Sequence, residues 1–215
     1  MSQDREPTLR ESMLHVCKLL WERNLIGGAE GNVSCRLDAN TILVTPSGAM
    51  KGLIKNSDEF IKVTPDGKPL DSSQRPTSEI DMHLRVYRER KDIQAVVHAH
   101  PLYATAFAVA GKTVPHEITP EGALILGEIP LVPTAISGTP DMANKLVPFL
   151  KSHNVFLLQN HGALTISIDV YQAYMLMETL ERTAQIAFNA EQLGGVKKLS
   201  KEYIEEFLAS RKEKG

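Results

Sequence analysis

The chain has 215 residues, 42% of them apolar, with 24 Lys and Arg set against 26 Asp and Glu. That length suits one large domain with an ample core, and a formal charge of −2 leaves no basic footprint for nucleic acid. Two cysteines, Cys17 and Cys35, exclude a disulfide framework; with no signal-peptide core at the N-terminus and no apolar run of about 18 residues, the expectation is a soluble cytoplasmic protein with no membrane partner.

Leu9, Met13, Val16, Cys17 and Leu20 recur at helical spacing, which predicts an amphipathic helix over residues 7 to 24, broken by Gly27-Gly28-Ala29-Glu30-Gly31-Asn32. Short strands are expected at 33 to 37 and 41 to 45, joined at Asp38-Ala39-Asn40, and at 59 to 64, ended by Pro65-Asp66-Gly67. Pro76-Thr77-Ser78 opens a helix whose Ile80, Leu84 and Tyr87 share a face, with Ser78 or Thr77 as the natural N-cap. A strand at 93 to 98 leads into a helix from Pro101 to Ala110, a loop at 111 to 122 and apolar stretches near 123 to 126 and 129 to 132. Thr139-Pro140-Asp141 is cap, first-turn proline and first-turn acid of a helix to about Lys151. Strands near 155 to 159 and 163 to 167 flank His161. A long helix from Asp169 to Leu193 stops at Gly194-Gly195, and a last short helix starts near Ser200. Hairpin-linked strands among helices imply a layered α/β domain with substantial antiparallel pairing.

The chemistry concentrates on histidine. In Val96-Val97-His98-Ala99-His100-Pro101 two imidazoles lie two apart in an apolar run. On a strand they share a face at roughly 6–7 Å, a spacing suited to gripping one metal ion. His161 stands at the end of another apolar run. Three imidazoles without a nearby cysteine read as a catalytic site with an open position, although each singly could be a satisfied core histidine. Glu79, in the first turn of the Pro76-initiated helix, is the carboxylate best placed to complete the set: it can bind the ion and serve as general base. His83, one turn on, reads as structural or as support for a ligand. Gly31-Asn32, Thr45-Pro46-Ser47-Gly48 and Thr77-Ser78 offer hydroxyls and backbone N–H groups, the material of a phosphate nest. No Walker loop or dinucleotide fingerprint is present, which argues against a nucleotide. Lys51 is expected to be solvated, Met175 and Met177 to pack, and Trp21 to serve a core or subunit contact; His15 and His153 are ordinary.

Gly31-Asn32-Val33-Ser34, Thr45-Pro46-Ser47-Gly48, Pro76-Thr77-Ser78-Glu79, His98-Ala99-His100 and Asn160-His161-Gly162 stand in the order and spacing of the class II aldolase/adducin family. The chain resembles that family, its fuculose-phosphate aldolases most of all, from the first helix to about Leu193. The resemblance implies a three-layer αβα fold around a mainly antiparallel sheet. It implies one domain over 1–215, frayed from about 209, and a homotetramer with active sites at subunit interfaces. By the same resemblance His98, His100, His161 and Glu79 are zinc ligands, with Glu79 also the catalytic acid/base; such a donor set accepts manganese or cobalt as well. Gly31, Asn32, Ser47, Gly48, Thr77 and Ser78 would cradle the phosphate of a small phosphorylated sugar.

The implied reaction cleaves a ketose 1-phosphate, similar to L-fuculose 1-phosphate, to dihydroxyacetone phosphate and an aldehyde through a zinc-stabilised enediolate. In the family's fuculose-phosphate aldolases a tyrosine from a neighbouring subunit acts on the C4 hydroxyl. This chain has Thr119 near that position, which leaves Glu121, or His116, for the task. Methylthioribulose-1-phosphate dehydration, ribulose-5-phosphate 4-epimerisation and sugar-acid phosphate decarboxylation would use the same metal site. A non-enzymatic adducin-like module would be expected to lack the complete ligand set, which this chain has.

Overall fold

The structure is a computed structural model describing residues 5–70 and 74–212. In chain order the elements are α1 (Arg5–Glu22), β1 (Asn32–Arg36), β2 (Ile42–Val44), β3 (Ile61–Val63), α2 (Ile80–Glu89), β4 (Ala95–Ala99), α3 (Leu102–Val109), β5 (Leu131–Val132), α4 (Pro140–Leu150), β6 (Val155–Leu158), β7 (Gly162–Ser167), α5 (Val170–Gln192) and α6 (Lys201–Lys212). Single 3₁₀ turns lie at Lys51–Leu53 and Ser57–Glu59, and a π-helical turn at Gly122–Leu126. The strands form one sheet in the order β3-β2-β1-β4-β7-β6-β5. It is a mixed sheet: β5 runs parallel to β6, and every other pairing is antiparallel.

Side-chain alternation sorts the sheet into two cores. Ala95, Val97 and Ala99 of β4, with Val33, Cys35, Leu43, Val155, Leu157 and Ala163, face one side and meet apolar residues of α1, α3 and α5. Val96, Ile42, Val44, Phe156, Leu158, Leu164 and Ile166 face the other and meet α2 and α4. Because both faces are covered, the central strands are near-continuous apolar runs. Both edges are short, β5 with two residues and β3 with three, which limits the unpaired backbone they expose.

Several expectations change in detail. The cap of α2 is Glu79 itself, with no side-chain cap bond; the Glu79 N–H points instead at Thr77 Oγ1, 3.4 Å away. Thr139 and Asp169 do cap α4 and α5, accepting from Asp141 N and Gln172 N. Lys51 is buried rather than solvated: its Nζ donates to the carbonyls of Ala29 and Ala49, at 2.5 and 2.8 Å. Met177 packs in the core while Met175 is exposed. Helix α6 extends to Lys212, and 213–215 lie outside the described residues. Leu199 N donates to Glu117 O, and Lys198 pairs with Glu117 at 2.9 Å, so the segment before α6 is tied to the 116–121 loop.

Candidate metal centre

Sheet register brings the site together. Asn32 of β1 is the cross-strand partner of His98 on β4, and Ala99 pairs with Ala163 of β7. The β6–β7 turn therefore carries His161 to the same end of the sheet as His100, which follows β4. That turn closes with His161 N donating to Leu158 O at 3.0 Å, and Asn160 takes φ 58°, a left-handed conformation that asparagine tolerates. Glu79 enters from the start of α2.

The three imidazole rings lie at centroid separations of 4.7 to 4.9 Å. One nitrogen from each lies within 4.8 Å of the other two. His98 Nε2 and His100 Nε2 are 3.0 Å apart. Glu79 Oε2 lies 3.2 Å from His98 Nε2, and its Oε1 lies 3.2 Å from His161 Nε2.

Hydrogen bonding decides which atoms are free to ligate. His98 Nδ1 is 2.8 Å from the Ala163 carbonyl, which can only accept, so Nδ1 carries the proton and Nε2 presents a lone pair. Glu79 Oε1 is buried with no hydrogen-bond donor. A neutral imidazole lone pair thus faces an ionised carboxylate, with two further imidazoles closing the ring. Such a set repels itself unless a cation sits among its members, and three nitrogens with one carboxylate suit a divalent transition metal. The electrostatics point the same way. Burial opposes ionisation of Glu79, but its setting beside the His98 imidazole and the hydrogen bond from the Asn32 amide outweigh it, holding the carboxyl well below its usual range. Burial, with His98 adjacent, pushes His100 down to about 3 and His161 down to about 4, which keeps both neutral and able to ligate.

The three expected oxyanion turns are tied to one another by hydrogen bonds, and Ser47 and Gly48 line a cleft with Glu59, Gln74 and Arg75. Ser47 N donates to Arg75 O, Thr77 N to Thr45 O, Thr45 N to Val33 O, and Val33 N to Thr45 Oγ1. The Lys51 ammonium, by holding Ala29 and Ala49, ties the glycine loop to the Ser47–Gly48 turn. Ser47, Gly48 and Ser78 are exposed, Gly31, Asn32 and Thr77 buried. Gly31 takes φ +69°, and a Cβ there would meet the His98 carbonyl at 2.8 Å, so only glycine brings this loop so close to β4. Glu121 lines a cleft with Thr119 and with Glu178 and Arg182 of α5, and none of the three imidazoles is among the residues lining that cleft. Two supporting side chains escape pattern reading. Glu30 Oε1 sits 3.8 Å from His100 Nδ1, and Ser137 Oγ lies 3.3 Å from His161 Nδ1. A carboxylate beside a ligand histidine is the only signal that could have found Glu30.

The model of the "Class II Aldolase and Adducin N-terminal domain" family matches residues 11–188. An L-fuculose phosphate aldolase of Methanococcus maripaludis (strain C7) is 33% identical over 177 residues, 82% of this chain and 94% of that protein. A 3-oxo-tetronate 4-phosphate decarboxylase of Escherichia coli O6:H1 is 33% identical over 187 residues, 85% and 87% of the two. The crystal structure of YgbL from Escherichia coli, described as a candidate aldolase, epimerase or decarboxylase, superposes with a TM-score of 0.85. It is 31% identical, over 94% of this chain and 98% of that one.

Proposed function

The chain belongs to the class II aldolase and adducin family, and from that premise we propose that it is a metal-dependent lyase cleaving a ketose 1-phosphate of the L-fuculose 1-phosphate type to dihydroxyacetone phosphate and an aldehyde. The observation that carries the reading is the convergence of lone pairs from His98, His100, His161 and Glu79, with Glu79 Oε1 buried and lacking a donor. Those four residues would hold zinc, or manganese or cobalt, in this proposal. The bound ion supplies Lewis acidity that polarises the substrate carbonyl and stabilises negative charge on its oxygen.

The chain's own groups do the rest. Asn32 Nδ2, the Ser47 and Ser78 hydroxyls, Thr77 and the Gly31 and Gly48 backbone bind the phosphate and fix the sugar. A base takes the C4 hydroxyl proton, the C3–C4 bond breaks, and the aldehyde departs. Glu79, ionised at rest, takes up the proton released from the C4 hydroxyl and delivers it to C3 of the remaining three-carbon fragment, giving dihydroxyacetone phosphate and returning to the carboxylate. Glu121 is assigned to the C4 hydroxyl. Its cleft shares no lining residue with the imidazoles, so it serves a site across a subunit boundary in a homotetramer. Leu102 and Val109, 70% and 56% exposed on the charge-free helix α3, supply apolar surface for such contacts. No described helix is long and apolar enough to cross a membrane, and two buried free thiols agree with a reducing cytoplasm.

The test is dihydroxyacetone phosphate release, followed with a coupled dehydrogenase, from a panel of ketose 1-phosphates with and without chelator. Chelator-sensitive release from L-fuculose 1-phosphate or a close deoxyketose is expected. No release from any of them by metal-loaded protein overturns the aldolase reading. The equal identity to a decarboxylase supports a second reading, in which the same site expels carbon dioxide from a 3-oxo sugar-acid phosphate; carbon dioxide evolution from that substrate class decides between the two.

A further inference from the structure

A buried line of hydrogen bonds runs from the candidate centre into the layer between the sheet and α2. Asn32 Nδ2 donates to Glu79 Oε2 at 2.8 Å. Behind it, Asn32 Oδ1 is 2.6 Å from His83 Nε2. His83 Nδ1 is 2.7 Å from Ser34 Oγ, and Ser34 Oγ is 2.9 Å from Tyr87 OH. Asn32, Ser34, His83 and Tyr87 are 4%, 0%, 0% and 2% exposed, so water cannot replace any link.

The direction of every proton follows from one end. An ionised Glu79 only accepts, so the Asn32 amide must turn its NH₂ to the carboxylate and its oxygen to His83. That oxygen only accepts, so His83 Nε2 carries the proton. Burial pushes His83 down to about 3, so the ring is neutral and its Nδ1 accepts from Ser34. Ser34 has one proton to give, so Tyr87 donates to Ser34. The chain has one consistent order, Tyr87 to Ser34 to His83 to Asn32 to Glu79. Reversing any member strands a buried polar atom.

We propose that His83 is a positioning residue for Glu79: with Ser34 and Tyr87 behind it, it fixes the orientation of the Asn32 amide, which pins Oε2 of the carboxylate and leaves Oε1 for the metal and the substrate proton. The assignment deepens the proposed lyase and rests on its reading of Glu79. Cross-strand geometry makes it economical, because Asn32 and Ser34 project from the same face of β1 as His98 does from β4, while His83 and Tyr87 are one turn apart on α2.

Histidine nitrogen NMR on the wild-type protein tests the chain directly and requires no variant. A neutral His83 ring protonated on Nε2 at neutral pH is expected; an Nδ1-protonated ring or an imidazolium overturns the proposal. In variants, His83→Leu removes the donor to Asn32, and His83→Gln keeps an N–H near the Nε2 position. Loss of metal affinity or kcat of about 10- to 100-fold is expected for Leu, with substantial recovery in Gln and a smaller loss in Tyr87→Phe. Wild-type metal affinity and kcat in a folded His83→Leu protein, or equal losses in Leu and Gln, overturn it. If the Leu variant fails to fold, the wild-type tautomer decides. Failure of the lyase reading is distinguishable, since wild-type protein would then release no dihydroxyacetone phosphate whatever the His83 tautomer.

Discussion

Gly162 has no room for a side chain. A Cβ there would lie 2.6 Å from the Ala99 carbonyl and 2.6 Å from Cδ2 of His100. Both contacts must give, so the β4–β7 pairing loosens beside Ala99 and the His100 imidazole moves. Gly162→Ala is therefore expected to weaken metal binding by about 10-fold or more, read by competition with a chromogenic chelator. Wild-type affinity would show that His100 is not held by this contact. At Glu79 the substitution to Gln keeps size and a hydrogen-bond partner for Asn32 but removes the charge and the transferable proton. Turnover should fall by about 10²- to 10⁴-fold with an unchanged circular dichroism spectrum, and wild-type turnover would remove Glu79 from its role. The identities of these side chains are plain in the chain, but the orientation of Asn32 is not. Its amide is set by His83 and Glu79, 51 and 47 residues away in sequence.

Individual elements follow local rules closely. Thr139 accepts from Asp141 N at 3.3 Å and donates to the Ile136 carbonyl at 2.7 Å, so one hydroxyl both starts α4 and closes the loop that brings Ser137 beside His161. Thr139→Ala should destabilise the fold by about 1 kcal/mol, measured as a shift in the urea midpoint; a shift near zero would mean that Pro140 alone sets the start of α4. Such caps are legible because partner and cap lie within a few residues. The start of α2 departs from its local pattern for the converse reason. Thr77 and Ser78 have capping chemistry, yet Thr77 N is engaged by Thr45 O, and the 75–78 segment is stitched to the 45–47 turn before the helix can begin.

For the whole molecule, buried neutral imidazoles link stability to pH. An unfolded histidine titrates near 6.5, whereas burial pushes His83 down to about 3. Between those values the unfolded chain takes up a proton that the folded chain refuses. The contribution of His83 is thus full above about 6.5 and is lost as pH falls towards about 3. Its limiting slope is about 1.4 kcal/mol per pH unit. His100 and His161, lowered to about 3 and about 4, act with the same sign in metal-free protein. Urea midpoints of chelator-treated protein should fall steadily as pH drops below about 6.5, and a flat profile down to about pH 4.5 would mean that His83 is not buried as a neutral ring. Adding zinc at neutral pH should raise the melting temperature with ion concentration, since only the folded chain brings His98, His100, His161 and Glu79 together.

The sequence by itself determined what near neighbours decide. His98 and His100 are named by their spacing in an apolar run, α4 and α5 by their caps, and the layered α/β class by strands and helices that alternate along the chain. Family resemblance was readable for the same reason, since its motifs are contiguous. Tertiary structure alone decided the rest. It buried Lys51 between two loops, set Glu121 in a cleft with Thr119, Glu178 and Arg182, made β5 parallel to β6, and turned His83 from a histidine on a mixed helix face into a link behind Asn32. Each of those outcomes depends on which polar atoms remain to be satisfied once two distant segments are packed together without water, and no local pattern along the chain records that.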